Sequence, residues 1–236
     1  MNNIPDITKR FYIRVAEHFD ITRQYSWGGW TKLFKYFIGT DFYPHSFLDL
    51  GCGNGRFIES IKANQNDFLY LGIDNNRYLI TKAKGKYASP RSQFCLDDFV
   101  SNWPTQKKFD LIVLFGVFHH INSYSSRVAL LKEIRRHLDI NGKAVLTVWN
   151  FKKLNLYKKK LTRLEIELLD LDMGKLNKND AFLKWSDDIN AIRYCHYYTK
   201  KEILMLLKSA NLRIEKTFKA DGTDGNTNTY YIISPS

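Results

Sequence analysis

Carboxylates at three positions, each at the end of a short apolar run, are the residues best placed to hold a polar ligand. The first is Asp49 in FLDLGCGNGRFIES, where it precedes a turn built from Gly51, Gly53 and Gly55 with Asn54 inside it. Glycines at that spacing let the backbone take positive φ and approach a ligand closely. The second is Asp74, followed by Asn75, at the end of FLYLGID, and the third position is Asp97 and Asp98, followed by Phe99, at the end of SQFCL. A GxGxG turn alone is a weak signal, since dinucleotide sites use a related GxGxxG. Here a carboxylate stands where a pyrophosphate binder would want neutral or positive surroundings, which favours a ligand carrying an ammonium group. Each Asp taken singly reads equally well as a helix N-cap or a solvated loop residue. Their succession at three strand ends is what points to a site.

The elements that must position these residues follow from periodicity. SFLDL, FLYLGID, SQFCL, FDLIVLF and GKAVLTVW are short apolar runs that alternate with helix-like segments, a pattern that implies a parallel sheet. Ahead of them, Ile7, Phe11, Val15 and Phe19 recur at helical spacing, and a second helix runs through Phe37. The run from Arg127 to His137 is a third helical segment, with Val128, Leu131, Ile134 and Leu138 on one face and the turn DINGK after it. Residues 152 to 190 break this rhythm with a basic amphipathic helix and a polar stretch, read as an insertion. A helix over 199 to 210 and strands near 212 to 218 and 229 to 234 form the end, the strands as an antiparallel edge hairpin around KADGTDGNTN. The expectation is one α/β domain of Rossmann-like type over 1 to 236, with a helical cap (1–45), a ligand-binding core (46–150), an insertion (151–192) and a C-terminal helix and hairpin (193–236).

Composition narrows the function class. At 236 residues the chain can bury a full core without disulfide or metal staples. Cys52, Cys95 and Cys195 stand far apart with no CxxC pair, so neither a structural metal nor a disulfide framework is expected. No stretch has the apolar length of a membrane helix, and the N-terminus has no signal or transit pattern, so the expected location is cytoplasmic and off the membrane. With 36 Lys+Arg against 24 Asp+Glu the net charge is +12, which suits a polyanionic partner and equally reflects a lysine-rich usage.

With these residues in place, the chain resembles the class I S-adenosylmethionine-dependent methyltransferases over residues 46 to 150 and again in the C-terminal hairpin. The resemblance implies a mostly parallel seven-stranded sheet with an antiparallel edge strand. It also implies that Asp49 and the Gly51 to Gly55 backbone hold the methionine part of the cofactor. Asp74 would take the ribose hydroxyls, Asp98 (or Asp97) the adenine amino group with Phe99 on the ring, and Leu114 and Phe115 would lie beside the sulfonium. A NAD-dependent oxidoreductase and a non-catalytic partner subunit on the same scaffold are the competing readings. The GxGxG spacing counts against the oxidoreductase, which would prefer GxGxxG and a pyrophosphate at the helix N-terminus, and the intact glycine loop and acidic residues count against the partner subunit.

A finer resemblance comes from HFDITRQYSW, GVFHHI, SSRVALLKEIRRHL, AVLTVWNF and RYCHYYTKKEI. These are similar to segments of the methyltransferases that esterify the carboxymethyl group on the wobble uridine of transfer RNA. The chain departs from their pattern in FDITR for FSQTR, in VWN for VWA, and in Cys195 where a Tyr is usual. The resemblance implies that the tRNA anticodon loop is the acceptor, and that a small zinc-binding activator subunit is a possible partner. A carboxylate acceptor needs a cation to orient it, and Arg23 and Arg193 are the candidates, both readable also as phosphate contacts. His119 or His120, His196 and Tyr194 are further acceptor-side candidates. Tyr25, Trp27, Trp30 and Trp149 could stack on a flipped base, with core packing as the plain alternative. Lys152, Lys153, Lys158, Lys159, Lys160 and Arg163, with Arg135 and Arg136, could follow the phosphates of the anticodon stem. A methyltransferase acting on a small molecule would share every cofactor residue.

Overall fold

A computed structural model describes residues 3–153, 160–167, 169–171, 174, 176–185 and 188–236. Its first helix, α1 (Ile4–Thr22), starts where the Asn3 side chain accepts from the Asp6 backbone N–H and Pro5 occupies the first turn. Ile4, Ile7, Phe11 and Val15 form the buried stripe of α1. Phe19, expected on that stripe, is half-buried and faces a cavity instead. Helix α2 (Gly28–Ile38) completes the cap.

The core alternates β1 (Ser46–Leu50), α3 (Phe57–Lys62), β2 (Leu69–Asp74), α4 (Arg77–Tyr87), β3 (Ser92–Leu96), β4 (Phe109–Leu114), α5 (Tyr124–His137) and β5 (Leu138–Trp149). Beyond it come α6 (Arg163–Glu167), β6 (Asp180–Trp185), β7 (Asp188–His196), α7 (Lys200–Ser209), β8 (Leu212–Ala220) and β9 (Asn228–Pro235). The main sheet has seven strands in the order β3-β2-β1-β4-β5-β9-β8, with β9 antiparallel to both neighbours and the others parallel. This is the expected sheet. Period-two alternation sends Leu48, Leu50, Ile112 and Leu114 to the face covered by α5 and α7, and Phe47, Leu111 and Val113 to the face covered by α2 and α3. The turn expected at DINGK is absorbed into β5 as a bulge: Phe109 pairs with Leu138, and the next pair is Leu111 with Lys143.

The insertion differs from its expected form. Residues 154 to 159, which include Lys158 and Lys159, lie outside the described residues. After them the chain forms a separate two-stranded sheet, β6 with β7. Strand β7 runs across the expected boundary at 192/193, so RYCH is the end of a strand and not a block leading into α7. The hairpin packs on α1 through a cluster that includes Ile4, Ile7, Phe182 and Tyr194. This contact brings the two ends of the sequence's non-core material together above the sheet.

Candidate functional site

The strand order reverses between β1 and β4, and a crevice at the carboxyl ends of such strands is where open α/β sheets bind ligands. A cavity of about 570 Å³ lies there, within the size range of small-molecule sites. Its floor is the glycine turn. Gly51, Gly53 and Gly55 have φ of 79°, 56° and 77°. A Cβ on Gly51 would stand 2.2 Å from Val117 Cγ2, so position 51 requires glycine for space as well as for conformation. Ile73 O accepts from the N–H groups of Gly51 and Cys52, and Asp74 accepts from Gly53 N at 2.9 Å and Asn76 N at 2.8 Å. The turn is thus braced by β2.

Asp49 reaches the cavity from the end of β1, buried, and accepts a hydrogen bond of 2.6 Å from the Tyr70 hydroxyl. Burial pushes its carboxyl up to about 7, with the Tyr70 hydrogen bond and Arg56 pulling the other way. Asn54 donates to Asp20 Oδ1 and to the Arg23 carbonyl, which ties the turn to the cap. Phe115 and Gly116, after β4, form the facing wall.

The remaining cofactor candidates stand at the strand ends but do not line this cavity. Asp74 spends both oxygens on backbone N–H groups of the turns beside it. Asn75 is exposed. Asp97 accepts from Asp98 N, and Asp98 accepts from Val100 N and Ser101 Oγ, which is the turn-capping role the sequence left open for them. Phe99 packs against the core. Leu114 is fully buried in that same core, because the alternation that aims Phe115 at the cavity aims its neighbour away.

The far end of the cavity is built by the cap and the hairpin. Arg193 on β7 lies between aromatic rings, its guanidinium carbon 4.6 Å from the Trp149 centroid, 5.3 Å from Phe11 and 5.4 Å from Trp185. Arg23, at the end of α1, lies 5.0 Å from the rings of Phe19 and of the same Trp185. Arg193 Nε has no hydrogen-bond partner. Among the described residues neither arginine has a carboxylate within ion-pair distance. The acids lining the cavity are Asp49 and Asp221, and Asp221 already accepts from Gly29 N, Asn228 Nδ2 and the Tyr230 hydroxyl.

Beside Arg193 sit two histidines. His120 Nδ1 bonds the Tyr194 carbonyl at 2.7 Å, so that nitrogen donates, and Nε2 accepts from the Tyr12 hydroxyl at 2.8 Å. Burial first, and Arg193 second, push its pKa down to about 3. His119 lines the cavity with Nδ1 unpartnered, and burial, with help from His120 and Arg193, holds it well below the ordinary histidine value. Both rings are therefore neutral at pH 7. His119, His120 and Cys195 bring ligand-type atoms within 4.8 Å of one another, a grouping the cysteine spacing did not suggest. The Arg193 cation beside them, the full bonding of His120 and a Cys195 thiol pushed up to about 12 by burial all oppose a divalent metal there.

Other acceptor-side expectations are corrected. His196 is buried away from the cavity, bonded to Asp180 at 2.6 Å and Glu202 at 2.8 Å. Tyr194 is fully buried, bonded to Asp180 and Arg127. Alternation along β7 explains both: Arg193 and Cys195 turn to one side, Tyr194 and His196 to the other. Trp27 and Trp149 line the cavity; Trp30 also reaches it but is 2% exposed and stacked on Trp27, and Tyr25 is 84% exposed. Arg135 and Arg136 end α5 just before β5 begins, so they lie at the amino edge of the sheet, opposite the cavity. Lys152 bonds Asn179, Lys160 is half-buried, and the side chains of Lys153 and Arg163 are outside the described residues. Sequence reading missed Tyr12, Arg56, Trp185 and Asp221. Only Arg56, directly after the third glycine, carried a positional signal.

The geometry agrees with what comparison finds. The methyltransferase domain family matches residues 19–217. A tRNA (carboxymethyluridine(34)-5-O)-methyltransferase of Schizosaccharomyces pombe is 25% identical over 212 residues, covering 84% of this chain and 85% of that protein. One of the same name from Arabidopsis thaliana is 28% identical over 154 residues, 63% of this chain and 35% of that one. Among solved structures, an S-adenosylmethionine-dependent methyltransferase from Clostridium acetobutylicum superimposes with a TM-score of 0.68 at 16% identity, over 95% of this chain and 99% of that one. The magnesium protoporphyrin IX methyltransferase of Synechocystis with bound S-adenosylhomocysteine gives 0.60 at 16%, over 98% and 93%. The chain belongs to the methyltransferase domain family and is a methyltransferase of the class I fold.

Proposed function

We propose that this methyltransferase takes its methyl group from S-adenosylmethionine and places it on a carboxylate, that of 5-carboxymethyluridine at the wobble position of transfer RNA, to give a methyl ester. The residues fit the cofactor on two observations: a turn of positive-φ glycines, of which Gly51 and Gly53 line the cavity, and a buried carboxylate, Asp49, at its floor to meet an ammonium. The adenosine half would extend along the carboxyl ends of β2 and β3, toward Asp74, Asn75, Asp97, Asp98 and Phe99. When bound, S-adenosylmethionine supplies a methyl carbon activated by a sulfonium leaving group.

The observation that carries the acceptor reading is the pair of guanidiniums, Arg23 and Arg193, held against aromatic rings with no carboxylate among the described residues within ion-pair distance. A desolvated arginine pair of this kind lacks an anion. A carboxylate is ionised at pH 7, so as acceptor of that methyl group it would need no residue of this chain to take a proton from it. The neutral histidines match that requirement. His120 is committed to Tyr12 and Tyr194, and His119, kept uncharged by burial, is too weak a base to activate a hydroxyl or amine but can donate one hydrogen bond. What remains for the protein is positioning, done by the arginines and by the aromatic walls of Trp149 and Trp185.

The tRNA acceptor is supported by the names of the relatives above and by a net charge of +12. The test is transfer of tritiated methyl to total transfer RNA, followed by digestion to nucleosides. Base-labile label on a uridine derivative is the expected result. No label on RNA, from protein that binds S-adenosylmethionine and has been tried with an activator subunit, would move the acceptor to a small carboxylic acid.

A further inference from the structure

Tyr12 enters the arginine end of the cavity from α1, beside Arg23 and Arg193. Its hydroxyl hydrogen has a fixed direction, and the reason lies in His120. The Tyr194 carbonyl can only accept, so His120 Nδ1, 2.7 Å away, carries the ring's hydrogen. His120 is neutral, pushed down to about 3 by burial and then by Arg193, so its Nε2 has a lone pair and nothing to donate. The Tyr12 hydroxyl, 2.8 Å from Nε2, therefore gives its hydrogen to the ring. Burial raises Tyr12 above the ordinary phenol value and keeps that hydrogen in place. What is left on the Tyr12 oxygen is its lone pairs, and Arg193 bears on them both by its charge and as a hydrogen-bond donor. Burial and then the like charge of Arg193 push Arg23 below its ordinary value, while Tyr12 works the other way. Two guanidiniums that repel each other thus face one neutral acceptor.

We propose that Tyr12 is a positioning residue for the arginine pair: with its hydrogen held by His120, its oxygen accepts from Arg193 and sets the angle at which that guanidinium meets the acceptor carboxylate. The relay joins α1, the segment after β4 and β7, and it returns to the chain at Tyr194, next to Arg193 itself. The Trp149 centroid, 4.6 Å from the guanidinium carbon, supplies a ring contact. Such a contact leaves a guanidinium free to turn within its own plane, and a hydrogen bond at its edge removes that freedom. Asn76 Nδ2 donates to the Tyr12 carbonyl at 2.9 Å while its Oδ1 caps α4, which holds this turn of α1 on the core. The proposal rests on the acceptor reading above for what the guanidinium meets, and on the geometry alone for what holds it.

Side-chain nitrogen NMR of the unaltered protein reads the relay directly: the expected signals are a protonated Nδ1 and a bare Nε2 on His120. A protonated Nε2 would turn the Tyr12 hydrogen toward the arginines and overturn the proposal. A double-variant cycle of Tyr12→Phe and Arg193→Met then follows kcat/KM for methyl transfer to transfer RNA, with S-adenosylmethionine affinity and thermal unfolding as controls. Tyr12→Phe should cost about tenfold, the lower end for a hydrogen bond to a charged group, and leave cofactor affinity within about threefold. Made on top of Arg193→Met it should cost less than about twofold, since no guanidinium is left to aim. The same loss in both backgrounds, or no loss in either, overturns the proposal. If the unaltered protein methylates no transfer RNA, the acceptor reading falls by itself and the Arg193 Nη signals decide the role of Tyr12. Signals resolved in the unaltered protein and merged in Tyr12→Phe would support it, and signals unchanged by the substitution would overturn it.

Discussion

The two ends of the cavity are built on opposite principles. At the glycine turn each carboxylate has its donor: Asp49 the Tyr70 hydroxyl, Asp74 two backbone N–H groups. At the hairpin end Arg23 and Arg193 have aromatic rings and, among the described residues, no carboxylate within ion-pair distance. The first end is a scaffold complete in itself, held by strands of the main sheet. The second is assembled from α1, the end of β5 and the β6–β7 hairpin, and under the proposed reading its positive charge awaits the acceptor's carboxylate. Substitutions should therefore separate the two ends, with cofactor binding lost at one and acceptor turnover at the other.

The largest effect is expected at the turn. Gly51→Val forces a β-branched side chain into φ of 79° and into the space of Val117. Cofactor affinity should fall by more than about 1000-fold, since both backbone strain and the collision with Val117 distort the turn that seats the ligand. Calorimetry checks this, with circular dichroism to confirm that the sheet survives. Retention of micromolar binding would mean that the ligand does not sit on this turn.

Next in size is Arg193→Met. It keeps an unbranched side chain among Phe11, Trp149 and Trp185 but removes the charge, and kcat/KM toward the acceptor should drop by about 100-fold, the weight of a desolvated charged hydrogen bond. S-adenosylmethionine affinity should stay within about threefold. If both parameters fell together, the two ends would not be separable and the comparison would break.

This contrast also explains what the sequence disclosed. The turn was legible because its chemistry is local: Asp49, the glycines and Asp74 each stand at the end of an apolar run, and their relation is set by the period of strands and the parallel sheet. Phe115 could be placed but Leu114 could not be separated from it, because telling which of two neighbours faces a cavity needs the register. The acceptor end was only half legible. Arg193 and Arg23 stood out by residue type, yet Tyr12 and Trp185 did not, since Tyr12 meets Arg193 only through the packing of α1 on β7 and Trp185 only through the β6–β7 pairing. His196 was misplaced for want of the strand register. RYCH proved to be the end of a strand, which gives alternating residues opposite faces, and His196 went to the buried Asp180 and Glu202 side.

A smaller effect sharpens the chemistry of the turn. Asp49 is held near 7 by burial, above its ordinary value, so free protein at pH 5.5 carries it mostly protonated. An ammonium ligand requires the carboxylate, so binding expels the proton and affinity should rise with pH until Asp49 ionises unaided. Between pH 5.5 and 7 the dissociation constant should tighten by about tenfold, a range in which an α-amino group, with a pKa of about 7.7 to 8.0, stays charged. Asp49→Asn should bind weakly with that slope flattened. A slope that persists in the variant would assign the proton to another group.

The smallest effect concerns the two edges of the sheet. Arg135 and Arg136 belong to the positive excess that suggested RNA, but α5 delivers them to the amino edge, where β5 begins, and Arg136 is already paired with Glu133 at 2.7 Å. A strand of six residues spans about 20 Å, so a nucleotide seated at the carboxyl edge does not bring its neighbouring phosphates to them without passing around the sheet. The Arg135→Ser, Arg136→Ser double variant should change transfer RNA affinity by less than about twofold at 150 mM salt, where the Debye length of about 8 Å limits long-range attraction. Filter binding across a salt series measures both the affinity and its slope. A loss of about two units in that slope would place phosphates on both arginines and require RNA to wrap the domain from one edge to the other.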